Sequence, residues 1–210
     1  MCNMFNKFNE NKFDEAKSLE LIETGQDGNT DAIEALVSKG ANINYVDEYG
    51  DTVLSQAAFN GHTATVKKLL SYLSARYSKN RAILLASQAG HAETIDVLIE
   101  EKAEVNIYME GYHTPLFQVI AQNKMKAFKR LLVAPGINLN QEDKEGVIPI
   151  LLAAYNGRLN MIKLLVEHGA DPTVKNAEGK SALDMATLNK KQDVIEYLNK
   201  ISDPKERLSM

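Results

Sequence analysis

The sequence predicts an all-α solenoid of stacked helix–turn–helix units, and three observations carry that prediction. First, Gly28, Gly61, Gly90, Asn123, Gly157 and Lys190 fall at one position of successive segments, at steps of 33, 29, 33, 34 and 33 residues. Second, a similar apolar stripe follows nearly every one: Ala32-Ile33-Glu34-Ala35-Leu36, Val66-Lys67-Lys68-Leu69-Leu70, Ile95-Asp96-Val97-Leu98-Ile99, Phe128-Lys129-Arg130-Leu131-Leu132 and Val194-Ile195-Glu196-Tyr197-Leu198. Third, a closing set recurs as Gly40-Ala41-Asn42-Ile43-Asn44, Lys102-Ala103-Glu104-Val105-Asn106, Gly136-Ile137-Asn138-Leu139-Asn140 and Gly169-Ala170-Asp171. Self-similarity at a period of this size is the signature of a repeat architecture.

The stretch Gly146–Asp171 shows why each unit takes this form. Pro149 suits the first turn of a helix, where its fixed φ is helical and its missing N–H would have no partner anyway. Leu151, Leu152, Ala153 and Ala154 give a short apolar side, and the two alanines let another backbone come close. Asn156-Gly157 stops the helix, because glycine accepts positive φ at no steric cost. Leu159, Ile162, Leu165 and Val166 recur at spacings of three and four, the stripe of a second amphipathic helix. Gly169 ends it, and Ala170-Asp171-Pro172 turns the chain. Two helices this short cannot bury their apolar faces alone.

Together these motifs resemble the ankyrin repeat. The matching residues are Thr114-Pro115-Leu116, Ala57-Ala58-Phe59-Asn60-Gly61-His62, Gln88-Ala89-Gly90-His91 and Gly40-Ala41-Asn42-Ile43-Asn44, at a period of about 33. The resemblance covers roughly residues 15 to 200. It implies an L-shaped stack of paired helices in two layers, with short β-hairpin tips projecting to one side. It also implies that partner proteins are gripped on the concave face made by the tips and the inner helices.

In chain order, residues 1–13 are an Asn- and Lys-rich lead-in without period. Phe5, Phe8 and Phe13 are candidates to cover the apolar end of the stack, and Glu10, Asp14, Glu15, Lys17, Glu20 and Glu23 to make its polar outer face. A single ankyrin domain over 14–201 divides into repeats at 14–44, 45–72, 73–106, 107–139, 140–173 and 174–201, followed by a tail, 202–210. Repeat two carries Asp47 and Gly50, suited to a hairpin tip, and Thr52, suited to an N-cap. Repeat three is about four residues short between Leu70 and Arg81, so a full tip is not expected there and the surface is notched. Repeat four has extra residues near Gly111-Tyr112-His113 and Ala134-Pro135-Gly136, and Asn123 replaces the inter-helix glycine. In repeat five Ile148 gives up the hydroxyl cap. Repeat six turns polar on its last helix, as a terminal cap requires.

Composition bounds the function. At 44% hydrophobic over 210 residues the chain has ample material for a core. A formal net charge of −4 gives no overall pull toward nucleic acid or an anionic membrane. Cys2 is the one cysteine, so no intrachain disulfide forms and a reducing compartment is expected. No apolar run reaches the length of a membrane span, and the start lacks the apolar core of a signal peptide. Cytoplasmic residence is the expectation; secretion as an effector without a recognisable signal leaves the same picture.

Chemistry-bearing patterns are sparse. His62 and His91 occupy the position after the inter-helix glycine, where a role in tying the turn is expected. His168 sits at a helix C-terminus, where the dipole favours positive charge. No Cys/His cluster has zinc spacing, no glycine-rich loop precedes a lysine as in a phosphate cradle, and no nucleophile elbow appears. No catalytic residue, cofactor or metal site is therefore expected, and the chain reads as a non-enzyme. Between Gly61 and Gly90 the charged residues are all basic (Lys67, Lys68, Arg76, Lys79, Arg81), and between His91 and Glu110 they are mostly acidic (Glu93, Asp96, Glu100, Glu101, Lys102, Glu104, Glu110). Solvated outer faces of adjacent repeats explain this; a groove for a partner of mixed charge is the sharper alternative.

Partner-binding residues are expected at the tips and just before each inter-helix turn: Tyr49, Asp51, Phe59, Asn60, Gln88, Tyr112, His113, Gln122, Lys144, Val147, Tyr155 and Asn156. Phe59 and Tyr155 follow a buried alanine pair and should emerge on the concave side. Exposed aromatics offer much contact area for little side-chain entropy. The expected function is a non-catalytic protein–protein interaction module that binds as a monomer to another protein, without nucleic acid or membrane. The alternative is an inhibitor, effector or immunity-type protein that blocks a partner enzyme through the same surface.

Overall fold

Short helices with one apolar side must stack, and in the computed structural model they do. It describes residues 13–72, 76–109 and 113–202; the expectations for Phe5, Phe8, Glu10, Glu110, Gly111, Tyr112 and residues 203–210 lie outside these. Among the described residues there are twelve helices in six successive pairs: α1 (Glu15–Asp27) with α2 (Thr30–Ser38), α3 (Val53–Phe59) with α4 (Thr63–Leu70), α5 (Arg76–Ala89) with α6 (Ala92–Glu100), α7 (Pro115–Ala121) with α8 (Met125–Leu132), α9 (Pro149–Tyr155) with α10 (Leu159–Glu167), and α11 (Ala182–Leu188) with α12 (Gln192–Ser202). The odd-numbered helices stack on one another in sequence, and so do the even-numbered ones. Two layers result, an inner row of odd helices and an outer row of even ones.

One contiguous apolar cluster runs between the rows from Leu21 to Ile201. Ala57, Ala58, Ala153 and Ala154 are fully buried in the inner row, while Leu69, Ile95, Leu98, Phe128, Leu131, Ile162 and Leu165 fill the space behind them. Small residues set how closely inner helices approach. A Cβ on Gly25 of α1 would lie 2.4 Å from the Val53 carbonyl oxygen at the start of α3.

All six inter-helix positions found by phase have positive φ: 71° at Gly28, 74° at Gly61, 91° at Gly90, 55° at Asn123, 69° at Gly157 and 53° at Lys190. At Gly61 a side chain is excluded twice over, because a Cβ there would also meet the His91 ring at 2.4 Å. His91 Nε2 donates to the Phe59 carbonyl and His62 Nε2 to the Gln26 carbonyl, each at 2.9 Å. The histidines thus tie each turn to the preceding repeat rather than to their own. Asn189 Nδ2 does the same for the Tyr155 carbonyl at 2.9 Å. Hydroxyl pairs Thr30–Thr65 (2.7 Å) and Thr63–Thr94 (2.8 Å) bridge neighbouring outer helices.

The inner helices begin with caps: Thr52, as expected, accepts from Ser55 N, and Thr114 of the Thr-Pro-Leu motif accepts from Phe117 N. Ile148 supplies none. Ser181 and Asp184 form a reciprocal box: Asp184 accepts from Ser181 N (2.8 Å) and Oγ (2.7 Å), which holds its carboxyl below the usual carboxylate range. A depressed carboxylate pKa stabilises the fold above the unfolded value, and that contribution is lost as pH falls through the folded one.

Ahead of α3, α9 and α11 the chain makes one recurring tip. Asp47, Asp143 and Asn176 each accept through Oδ1 from two backbone N–H groups, those of Tyr49 and Asp51, Glu145 and Val147, and Glu178 and Lys180. The same three residues donate N–H to the carbonyl four residues on. The implied β-hairpins shrink to these turns, because a chain that reverses within five residues has no length left for a ladder. One isolated bridge pair, Lys175 with Ser181, has β geometry.

In the third unit helix replaces the tip. α5 has 14 residues where α3, α7, α9 and α11 have seven, so its first turns run where a tip stands elsewhere. From that extension Arg81, with its side chain 8% exposed, reaches back to the tip before it: Nε to Asp51 Oδ1 at 2.8 Å and Nη2 to the Tyr49 carbonyl at 2.9 Å. Asp51 also accepts from Ser55 Oγ (3.2 Å) and Gln56 Nε2 (3.0 Å).

Two outcomes follow for stability. Ala154→Glu forces a charge into a seam that admits no solvent and should cost about 4 kcal/mol or more in urea unfolding, with loss of α9 and its neighbours. Arg81→Ala strands Asp51 and should cost about 3 kcal/mol, whereas Arg81→Met combined with Asp51→Asn should recover part of that loss.

Candidate functional site

Apart from α1, which carries Glu15, Lys17, Glu20, Glu23 and Asp27, the inner and outer rows differ in charge. The helices α3, α7 and α9 contain no charged residue, and neither does α5 from Ala82 to Ala89. α11 has only Asp184, held in its cap. Every outer helix is charged, with Asp31 and Glu34, Lys67 and Lys68, Glu93 and Asp96, Lys129 and Arg130, Lys163 and Glu167, and Asp193 and Glu196. In a chain that is 25% charged, this asymmetry separates a solvated face from a neutral one.

Outer charges pair across repeat boundaries. Lys68 of α4 meets Glu34 of α2, which also accepts from Tyr72 Oη, and both partners hold the Glu34 carboxyl below its usual range. Arg130 of α8 lies 3.3 Å from Asp96 of α6, though burial still pushes the Asp96 carboxyl up. Within the third unit, Lys79 of α5 reaches Glu101 at 3.5 Å. The basic run of the sequence thus pairs partly backward, Lys68 with Glu34 and Arg81 with Asp51, while Asp96 of the acidic run pairs forward with Arg130 and Lys79–Glu101 joins the two runs.

On the inner face, phase places Phe59, Gln88, Ala121, Tyr155 and Leu188 at one position and Asn60, Ala89, Gln122, Asn156 and Asn189 at the next. Phe59 and Tyr155, at the last turns of α3 and α9, are 41% and 42% exposed. Asn60 and Asn156 cap these helices, each donating Nδ2 to a carbonyl four residues back. Gln122 is exposed at the end of α7, and Gln88 is half-buried in α5. The same phase marks Leu188, 63% exposed, which the sequence reading passed over because the last repeat was treated only as a cap.

At the tips Tyr49 is 75% exposed. Asp51 is engaged with Arg81, Ser55 and Gln56 and serves first to fix the tip. Lys144 is exposed, its Nζ 5.2 Å from the centroid of the Tyr108 ring, and Val147 is half-buried against the core. His113 is exposed immediately before the Thr114 cap and stacks on Phe117. Tyr112 lies outside the described residues. Elsewhere an open depression of about 260 Å³ at the inter-helix turns is lined in part by Asn123, Gly157, Arg158, Asn160 and Asp193.

Comparison with known proteins agrees with this geometry. The family model for ankyrin repeats, three copies long, matches residues 21–109 and again 116–207. The chain is 28% identical, over 80% of its length, to the transient receptor potential cation channel subfamily A member 1 homolog of Caenorhabditis elegans, and covers 14% of it. It is 30% identical over 56% of its length to alpha-latrotoxin-Lg1a of Latrodectus geometricus, covering 9% of that protein. It is 24% identical over 79% of its length to the B-cell lymphoma 3 protein homolog of Mus musculus, covering 39%. The chain thus spans a small part of these relatives. Among solved structures it resembles a chain from the complex of a Bdellovibrio bacteriovorus predatory endopeptidase with an immunity protein. There the TM-score is 0.73 and the identity 28%, over 86% of this chain and 96% of that one. Six stacked helix pairs, six left-handed turns in phase and two consecutive family matches make this chain a member of the ankyrin-repeat family, a family of protein-interaction modules.

Proposed function

We propose that residues 14–201 act as one non-catalytic binding domain, a monomer that holds a partner protein on the face made by its tips and inner helices. The observation that carries this reading is the uncharged stretch of the inner row, α3, Ala82–Ala89 of α5, α7 and α9, with Phe59 and Tyr155 exposed on it and Leu188 exposed in the same phase on α11. A face that faced only water would have no physical reason to avoid charge, and the outer row of the same chain does not. Aromatic and amide side chains on short, capped helices bind with little ordering cost, because the stack already holds them in place. Tyr49, Lys144 and Val147 extend the same face toward the tips, and Gln122 continues it at the C-terminal end of α7.

A second reading, that the chain blocks a partner enzyme, is favoured by the likeness to a chain from an endopeptidase–immunity protein complex, matched over nearly its whole length. Both readings use one surface and differ in what the partner loses on binding. On the inhibitor reading the partner's active site is occluded and its activity falls in proportion to occupancy.

The test uses three full-length proteins: wild type, Phe59→Ala/Tyr155→Ala, and an outer-face control, Lys126→Ala/Lys129→Ala. All three should melt within about 2 °C of one another, because neither pair is buried. In affinity capture from the native host, a partner on the inner face should be retained by wild type and control and lost by the aromatic double variant. Retention by the aromatic variant and loss by the lysine variant would move the site to the outer row.

A further inference from the structure

Stacking gathers a histidine and two carboxylates that stand about thirty residues apart in the chain. The candidate ligand atoms of His113, Asp143 and Glu145 all lie within 4.8 Å of one another. His113 comes immediately before the α7 cap, and the two carboxylates come from the tip that leads to α9. Each of the other histidines is held on a backbone carbonyl: His62 on Gln26, His91 on Phe59 and His168 on Leu164. His113 instead faces acids, its Nδ1 3.8 Å from Asp143 Oδ2, which is beyond hydrogen-bond reach.

Both partners are oriented from behind. The His113 ring stacks on buried Phe117 with centroids 5.7 Å apart and planes 20° from parallel. Asp143, its side chain 7% exposed, has Oδ1 occupied by the Glu145 and Val147 N–H groups at 3.0 and 2.8 Å, which leaves Oδ2 as the oxygen nearest His113. Lys144, the cation of the same tip, lies over the Tyr108 ring. An oriented carboxylate beside a second carboxylate and an imidazole, with the local lysine directed to an aromatic ring, is a donor set in want of positive charge.

We propose that His113, Asp143 and Glu145 bind a divalent transition-metal ion of the zinc class, which ties the start of α7 to the next tip. Imidazole nitrogen with carboxylate oxygen suits zinc, whereas calcium and magnesium take oxygen alone. A tetrahedral site with bonds of about 2 Å sets its ligand atoms roughly 3.3 Å apart. Glu145 is exposed, and its rotamer freedom closes the remaining gap of at most about 1.5 Å. Three protein ligands leave a fourth position for water or for a side chain of a bound partner.

Isothermal titration of Zn²⁺ into the EDTA-stripped full chain tests this, with Ca²⁺ and Mg²⁺ in parallel arms. One ion per chain is expected, with Kd on the order of micromolar or tighter. His113→Ala and Glu145→Gln should each weaken binding at least about tenfold. Asp143→Asn should do the same while keeping the turn, since Asn176 performs the same backbone role in the last tip; an unchanged circular dichroism spectrum verifies that the fold is intact. His168→Ala should leave the affinity unchanged. The proposal is overturned by absence of saturable Zn²⁺ binding, by binding that the three ligand variants leave intact, or by Ca²⁺ or Mg²⁺ binding as tightly as Zn²⁺.

Discussion

The seam between adjacent helix pairs is the contact on which the molecule depends. Helices of seven to nine residues are too short to hold themselves in water, and a lone pair of them leaves one apolar flank bare on each side. Burial therefore comes from neighbours: the alanine pairs let inner helices touch, and the leucines, isoleucines and Phe128 behind them close the space. Polar contacts follow the same direction. His62 and His91 reach back to the previous turn, the threonine hydroxyls meet across a boundary, and Lys68 and Arg130 find their acids one repeat away. Stability in such a chain is close to a sum over nearest neighbours.

That arrangement divides the surface by charge. Every outer helix carries charge, and Glu34 with Lys68 and Asp96 with Arg130 make weak pairs between repeats. The inner helices α3, α7 and α9 carry no charge, and amides, Phe59 and Tyr155 stand at their C-terminal ends. Among the described residues the row of tips is interrupted where α5 extends through the third unit and Arg81 takes over the task of holding the tip before it. A buried ion pair there costs desolvation that Ser55, Gln56 and the Tyr49 carbonyl help to offset.

Much of this was legible in residue types. Period and turn chemistry located all six left-handed positions between paired helices, including Asn123 and Lys190, which only phase could have picked out. Thr52 announced its cap and Ile148 the lack of one, because a hydroxyl at that position has one obvious partner. The missing tip of unit three was visible as a shortfall in length, but its replacement by helix was not read, although no glycine or proline interrupts Arg76–Ala89. The implied hairpins proved too short for strands. Asp51 looked like a free acid at a tip, since nothing local reveals that Arg81, thirty residues on, will find it. The grouping of His113 with Asp143 and Glu145 was invisible for the same reason: spacing rules read contacts along one element, and this set exists only once two repeats are stacked.

Circular dichroism of a synthetic peptide spanning residues 140–173, one repeat without its neighbours, tests the dependence on seams most directly. The account predicts a spectrum with little helix and no cooperative thermal transition in buffer, against a single cooperative melt for the intact chain. A peptide that is helical and melts sharply by itself would contradict it.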